Sequence, residues 1–170
     1  MKKIMMMIAM LAIPFAMQAQ TKFHDVEANE AKGTVKTMKM DIMGMSQSIE
    51  FSEDGKMVNS SLMSDAVYDE NGYLTSVKMS FQGQSTTVKI TWENGRMKSR
   101  SLNVMGNDVT NTYNYDENGV VTSESINMGG QLIEIPYSDY KFDDHGNWIS
   151  RKGTMMGQEM TQTRTIEYYE

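Results

Sequence analysis

The stretch Tyr68-Asp69-Glu70-Asn71-Gly72 returns almost unchanged as Tyr115-Asp116-Glu117-Asn118-Gly119. Weaker copies stand at Phe51-Ser52-Glu53-Asp54-Gly55, Trp92-Glu93-Asn94-Gly95 and Phe142-Asp143-Asp144-His145-Gly146, and Lys32-Gly33 opens a matching downstream segment. Asn-Gly accepts positive φ at both centres of a tight hairpin turn, the twist that flanking strands need. The spacing therefore predicts a hairpin at each glycine. The glycines fall at 33, 55, 72, 95, 119 and 146, with gaps of 22, 17, 23, 24 and 27 residues. A gap near 23 holds two strands of roughly nine residues and two turns.

A second turn lies midway in most units: Met43-Gly44, Gln82-Gly83, Met105-Gly106, Met128-Gly129 and Met156-Gly157. Only the unit from Gly55 to Gly72 lacks it. Six degenerate two-strand repeats give an all-β fold, an antiparallel up-and-down meander of about 12 strands. A sheet that wide curves strongly or closes into a barrel.

Stacked on their glycines, the units align in columns, and a column becomes a row across a sheet. Two residues on stand Val35, Met57, Leu74, Met97, Val121 and Trp148. Four residues on, expected on the same face by strict alternation, stand Thr37, Asn59, Ser76, Ser99, Ser123 and Ser150. Seven residues on, expected on the opposite face, the column is mostly apolar, with Met40, Leu62, Met79, Leu102 and Ile126. Pro136 cannot donate to a ladder, so its unit is expected to carry a bulge or a local edge.

Residues 1–19 hold two lysines, an apolar run from Ile4 to Met17, and Gln18-Ala19, the pattern of a secretory signal cleaved after Ala19. The run is shorter than the ~20 residues that span a bilayer, so no transmembrane helix is expected in the mature chain. Residues 20–32 read as a polar lead-in arm with a short helical turn around Val26 to Lys32, and residues 33–170 as the β-meander domain. The expected address is the periplasm or the cell exterior. Without cysteine there is no disulfide and no thiolate site. Removing Lys2 and Lys3 with the signal leaves 14 basic residues against 22 acidic ones and takes the formal charge from −6 to −8. The basic residues are dispersed, which argues against nucleic acid as a partner.

The units around Tyr68–Leu74, Tyr115–Val121 and Phe142–Trp148 resemble the YD repeat of Rhs-type bacterial surface proteins, whose motif is Tyr-Asp, two variable residues, Gly, a further residue and an apolar one. The resemblance covers most of residues 33–170. It implies a β-rich shell with a structural or binding role and no catalysis by the repeat. The chain is also similar to small exported YD-type proteins, which implies a curved or closed porin-like barrel.

The carboxylates before each glycine suit turns, where Asp and Asn bond their own backbone, better than calcium, which needs six to eight oxygens. Met38, Met40, Met43 and Met45, with Met155, Met156 and Met160, have the thioether spacing of a Cu(I) site, the basis of an alternative copper-handling reading. Methionine packing in an irregular core explains them as well. Neither His24 nor His145 has a partner at useful spacing, and no nucleophile elbow is present. Repeated acids sit in copies of one environment, whereas a catalytic pair needs two distinct ones. The expectation is a non-enzymatic protein without a cofactor, binding a glycan, peptide or envelope protein. Tyr73, Trp92, Tyr113, Tyr137 and Trp148 are the candidate ligand contacts, since aromatics give area at low entropic cost; the core is the expected place for Trp92 and Trp148. A second alternative, a small outer-membrane barrel, meets rows of charge on both faces, with Lys36, Lys78, Lys98, Arg100, Glu124 and Arg151 on one and Lys39 and Asp41 on the other.

Overall fold

The computed structural model describes residues 23–42, 45–81, 83–104 and 106–170. The signal reading of residues 1–19, the start of the arm, and the turn residues Met43, Gly44, Gln82 and Met105 lie outside the described residues. A short helix, α1 (Asp25–Ala28), precedes β1 (Val35–Ile42), β2 (Met45–Phe51), β3 (Met57–Ser60), β4 (Met63–Tyr68), β5 (Leu74–Phe81) and β6 (Gln84–Glu93). There follow β7 (Arg96–Val104), β8 (Asn107–Tyr115), β9 (Val121–Met128), β10 (Gln131–Phe142), β11 (Trp148–Met155) and β12 (Gln158–Tyr168). All twelve strands form one antiparallel sheet in the order β3-β2-β1-β12-β11-β10-β9-β8-β7-β6-β5-β4, curved into a nearly closed barrel.

The first and last strands pair directly, Met38 opposite Ile166 and Met40 opposite Arg164. The seam therefore lies inside the chain, between β3 and β4, and these belong to the one short unit that lacks a midway glycine. With Ser61-Leu62 between two short strands, the unit has no room for a full hairpin ladder. β3 and β4 share no strand pairing, and each bonds across its connection to the strand on its other side, Ser61 N–H to Ser48 O and Ser80 N–H to Leu62 O.

The turns correct one expectation. Positive φ at both centres occurs at Asn94-Gly95 (53° and 74°), and likewise at the midway turns Gly129-Gly130 and Met156-Gly157. In the Tyr-Asp copies only the glycine is left-handed (Gly72 83°, Gly119 82°), and the aspartate organises the loop. Asp69 Oδ1 accepts from the N–H groups of Asn71 and Tyr73, both at 2.9 Å, and Asp116 and Asp143 repeat the arrangement. Aspartate folding onto the backbone ahead of it replaces the Asn-Gly conformation.

A second correction follows from the same loops. At each of the six repeat turns the ladder slips just beyond the closing pair, as between Val67/Ser76 and Tyr68/Leu74. One extra residue is spent on the second strand, which resets the alternation. Positions two, five and seven after the glycine thus face inward together, while position four, placed beside position two by simple alternation, faces out. Leu74 and Val77 are buried on β5, for example, whereas Ser76 pairs with Lys89 on the outer wall. The bulge expected of the Pro136 unit lies just downstream, between Ser138 and Lys141, with Asp139 at φ 52°; Pro136 itself pairs with Ser123 in the middle of the sheet.

The inner wall carries two apolar clusters. Leu74, Val77, Val88, Ile90, Met97, Tyr113 and Val121 form the first, and Val35, Met38, Ile49 and Phe51 pack with Val26 and Ala31 of the arm in the second. Met57 and Met63, on the two lips of the seam, touch both. The outer wall is mainly Ser, Thr and Lys with a few acids, Lys39 opposite Thr165 and Lys78 opposite Thr87 being typical, and it also exposes Val67 and Leu132. Among the described residues no helix is long and apolar enough to cross a membrane.

Candidate binding site inside the barrel

Residues 23–32 of the arm cross the mouth of the barrel at the end that carries the Tyr-Asp turns and pack within the wall. Val26 and Ala28 are each 1% exposed. Burying a valine fully contributes roughly 1.5–3 kcal/mol. Phe23 N–H donates to Asp54 O on one lip of the seam and His24 N–H to Gly72 O on the other, both at 3.1 Å. Asp25 completes the stitch: its Oδ2 accepts from Met57 N–H and from the Tyr68 hydroxyl, each at 2.6 Å. Asp25 Oδ1 is buried with no hydrogen-bond partner. Burial raises the pKa of Asp25, against the opposing effect of Tyr68 and the Met57 amide, and burial also raises Glu27.

Deeper in the wall the fifth-position column changes character. It reads Met38, Ser60 and Val77 on one side of the barrel and Arg100, Glu124 and Arg151 on the other. Three of the four arginines of the chain, Arg100, Arg151 and Arg164, point inward and bond the arm or its neighbours, whereas Lys39, Lys78, Lys89 and Lys98 are exposed. Guanidinium groups suit this place because they are weakly hydrated, stack on rings and present several donors at fixed angles.

Arg151 is 4% exposed and lies between the Tyr137 ring, 3.8 Å from its centre, and the Trp148 ring, at 4.2 Å. Its Nε donates to Gln162 Oε1 at 2.6 Å, and its Nη1 donates to Glu30 Oε2 at 2.6 Å and to the Tyr140 hydroxyl at 3.2 Å. Burial works against the Arg151 charge, but Glu30 together with Tyr137 and Tyr140 holds the guanidinium above its ordinary range. Arg164 sits 3.9 Å from the Trp148 ring centre. It donates to Trp148 O, to Asn29 O at 2.9 Å and to Glu30 O at 2.8 Å. Burial pulls Arg164 down to about 10 despite Glu30, and Arg151 adds to the pull, so the group is a costly cation that stays charged at neutral pH. Arg100 donates to Ala28 O. Asn147, 3% exposed, reads the peptide of Lys32 on both sides, accepting from its N–H and donating to its C=O at 2.9 Å each.

All five aromatic candidates are placed around this arm rather than on an outer surface. Tyr73 stacks on His24 at 3.9 Å, with Trp92 4.9 Å from Tyr73. Trp92 Nε1 is spent on Leu74 O. Tyr113 is 8% exposed, faces Arg100, and has its pKa raised by burial. Tyr137 and Trp148 sandwich Arg151, and the Tyr137 hydroxyl donates to Glu124 Oε2 at 2.9 Å. The residues that sequence reasoning missed are the arginines, Glu30 and Asn147. The slip after each turn hid Arg100 and Arg151, because strict alternation places the fifth position on the outside.

The described thioether candidates have different surroundings. Met38 is 1% exposed in the second apolar cluster and Met40 packs against that cluster. Met160 faces Gly153 across the β11–β12 ladder, Met155 is half-buried, and Met156 is 77% exposed in its turn. Met43 and the side chain of Met45 lie outside the described residues. Elsewhere, a cleft of about 460 Å³ lies beside the β6–β7 hairpin, where Lys98 pairs with Glu93 at 2.9 Å and the Tyr115 hydroxyl donates to Met97 O. No protein-family model and no curated protein matches this chain.

Proposed function

We propose that this is an exported, non-enzymatic β-repeat protein of the YD type that binds a glycan, peptide or protein of the bacterial envelope, in the periplasm or outside the cell. The observation that carries the reading is the inner wall at the Tyr-Asp end. A barrel that needed only stability would fill that volume with apolar side chains, since replacing buried ion pairs by packed hydrophobic groups is often neutral or stabilising. Here three arginines, the rings that line them and a two-sided amide converge on one segment of the arm. Such a set of convergent polar groups on an aromatic lining is the general make-up of a binding chamber.

The outer wall supports a barrel that works in water. Lys39, Lys78, Lys89 and Lys98 lie along its strands, and a mid-bilayer Lys or Arg costs about 2–4 kcal/mol. The non-enzymatic reading draws on the aspartates: Asp69, Asp116 and Asp143 are committed to the amides of their own turns.

Two experiments test this. Fractionation of the native producer is expected to release the protein in the soluble periplasmic or culture fraction without detergent; retention in membranes contradicts the reading. The protein immobilised from residue 20 onward is then presented with a glycan array and a detergent-free envelope extract. Saturable capture that is lost in Arg151→Met is expected, and equal capture by the two proteins contradicts a site on the inner wall.

A further inference from the structure

We propose that the inner wall is a peptide-binding site for an acidic segment of another protein chain, and that residues 28–32 occupy it as an intramolecular stand-in. This rests on the reading of the barrel as a binding protein and gives that reading a ligand class.

The chemistry of the contacts selects a peptide. Three consecutive carbonyls of the arm are read: Ala28 O by Arg100, Asn29 O by Arg164 Nη1 at 2.9 Å, and Glu30 O by Arg164 Nη2 at 2.8 Å. The Lys32 peptide is read on both sides by Asn147. Successive backbone carbonyls followed by a peptide N–H are what a polypeptide presents at this spacing, and a lone carboxylate has no such row. One side chain is read as well. Glu30 Oε2 takes Arg151 Nη1 at 2.6 Å and Trp148 Nε1 at 3.2 Å, and Oε1 takes Arg151 Nη2 at 3.3 Å. Charge-assisted, two-pronged contacts of this kind single out a carboxylate. The flanking positions admit little volume, because Ala28 and Ala31 are 1% and 7% exposed. The recognised pattern is a glutamate followed by one small residue, with a second small residue two positions before it.

The arm is also an imperfect occupant, and the flaw lies in the arm. Glu30 holds φ at 55°, a left-handed conformation unfavourable for a residue with a side chain. A segment arriving from another chain can make the Arg100, Arg151, Arg164 and Asn147 contacts without inheriting that cost. Against it stands the advantage of tethering, an effective concentration on the order of millimolar for a short link. The site is thus held closed to weak ligands and open to well-matched ones.

The test uses the full chain from residue 20 and two fluorescein-labelled peptides, one with the sequence of residues 23–32 and one carrying Glu30→Gln. Fluorescence anisotropy is read against wild type, the Glu30→Gln protein, and a protein with both Glu30→Gln and Arg151→Met. The Glu30→Gln protein keeps the wall intact with a weakened arm. It is expected to bind the unmodified peptide at least about tenfold tighter than wild type does, and at least about tenfold tighter than it binds the Glu30→Gln peptide. Adding Arg151→Met is expected to abolish the difference between the peptides. Should Glu30→Gln fail to give a folded barrel by circular dichroism, Ala28→Lys, which crowds the arm out and leaves the wall alone, takes its place in the same titrations. Equal binding of the two peptides, or a Kd above about 1 mM for both on a folded arm-weakened protein, overturns the proposal. In that event, retained capture of a glycan or envelope component leaves the wider binding reading standing; selective peptide binding without such capture, the opposite outcome, removes the wider partner range and keeps the peptide site.

Discussion

The amide of Met57, a donor on the open edge of the barrel sheet, is satisfied by the carboxylate of Asp25 at 2.6 Å. Edge strands expose unpaired amides that invite association, and here a residue from outside the sheet answers one of them. Asp25→Ala is expected to cost about 1–3 kcal/mol in urea unfolding, the range for stranding a buried donor. The same change should speed amide exchange at Met57 above all other positions on β3. Unchanged exchange there would show that the arm does not close the seam.

The pH response of the seam has a defined sign. Asp25 has an ordinary value of 3.8 and a raised one in the folded protein, so the folded state holds the proton more firmly. Stability from that group is fully present below 3.8 and is lost as pH rises through the raised value. Asp143 behaves the opposite way. Burial would raise it, but the Tyr168 hydroxyl and the amides of Asn147 and His145 together lower it, so its contribution is present above 3.8 and is lost as pH falls through the lowered value. Urea midpoints measured against pH should therefore diverge: Asp25→Asn removes a loss on the rising side of 3.8, and Asp143→Asn removes a loss on the falling side. Parallel curves for the two variants and wild type would refute the assignment.

The turns allow a comparison within one repeat. Asp116→Ala removes acceptors for Asn118 N–H at 2.9 Å and Val120 N–H at 2.8 Å, and about 1–2 kcal/mol is expected to go with them. Asn118→Ala should fall within about 0.5 kcal/mol of wild type, because that residue is not left-handed. Asn94, at φ 53°, is, and Asn94→Ala should cost about 1–2 kcal/mol. Equal effects at Asn118 and Asn94 would restore the tight Asn-Gly turn at every repeat.

Gly153 occupies the one inward column position without a side chain, and the reason is Tyr137 on the paired strand. A Cβ added at Gly153 would lie 3.0 Å from Tyr137 Cε1 and 3.3 Å from Ile135 Cγ2. Gly153→Val is expected to cost about 1–3 kcal/mol by overpacking and to shift the ring off Arg151. Tyr137→Leu should relieve much of that cost. Strictly additive losses in the double variant would mean that the two sites are independent.

How far the sequence carries the fold is visible in particular residues. Recurrent Asp-x-x-Gly and the near-constant spacing give strand number, antiparallel order and curvature, because both signals are local. The missing midway glycine between Gly55 and Gly72 marks the seam once the sheet order is known. The inner wall was hidden for a physical reason. Alternation is a sound rule within a strand, but a single extra residue after each turn, Thr75 in the Gly72 unit for instance, exchanges the two faces. Arg151 then leaves an apparently lipid-hostile outer row and becomes the centre of the chamber. The arm was equally opaque: Asp25, Glu27 and Glu30 make residues 23–32 look like solvated chain, and only the arginines on distant strands make burial of Glu30 favourable.

The account stands on the seating of Glu30 against Arg151, and a double-mutant cycle with Glu30→Gln and Arg151→Met, followed by urea unfolding at neutral pH, tests it most directly. A coupling energy of at least about 2 kcal/mol is predicted, as for other close, desolvated charge pairs. A coupling below about 0.5 kcal/mol, the level of independent sites, would mean that the arm does not fill the barrel mouth.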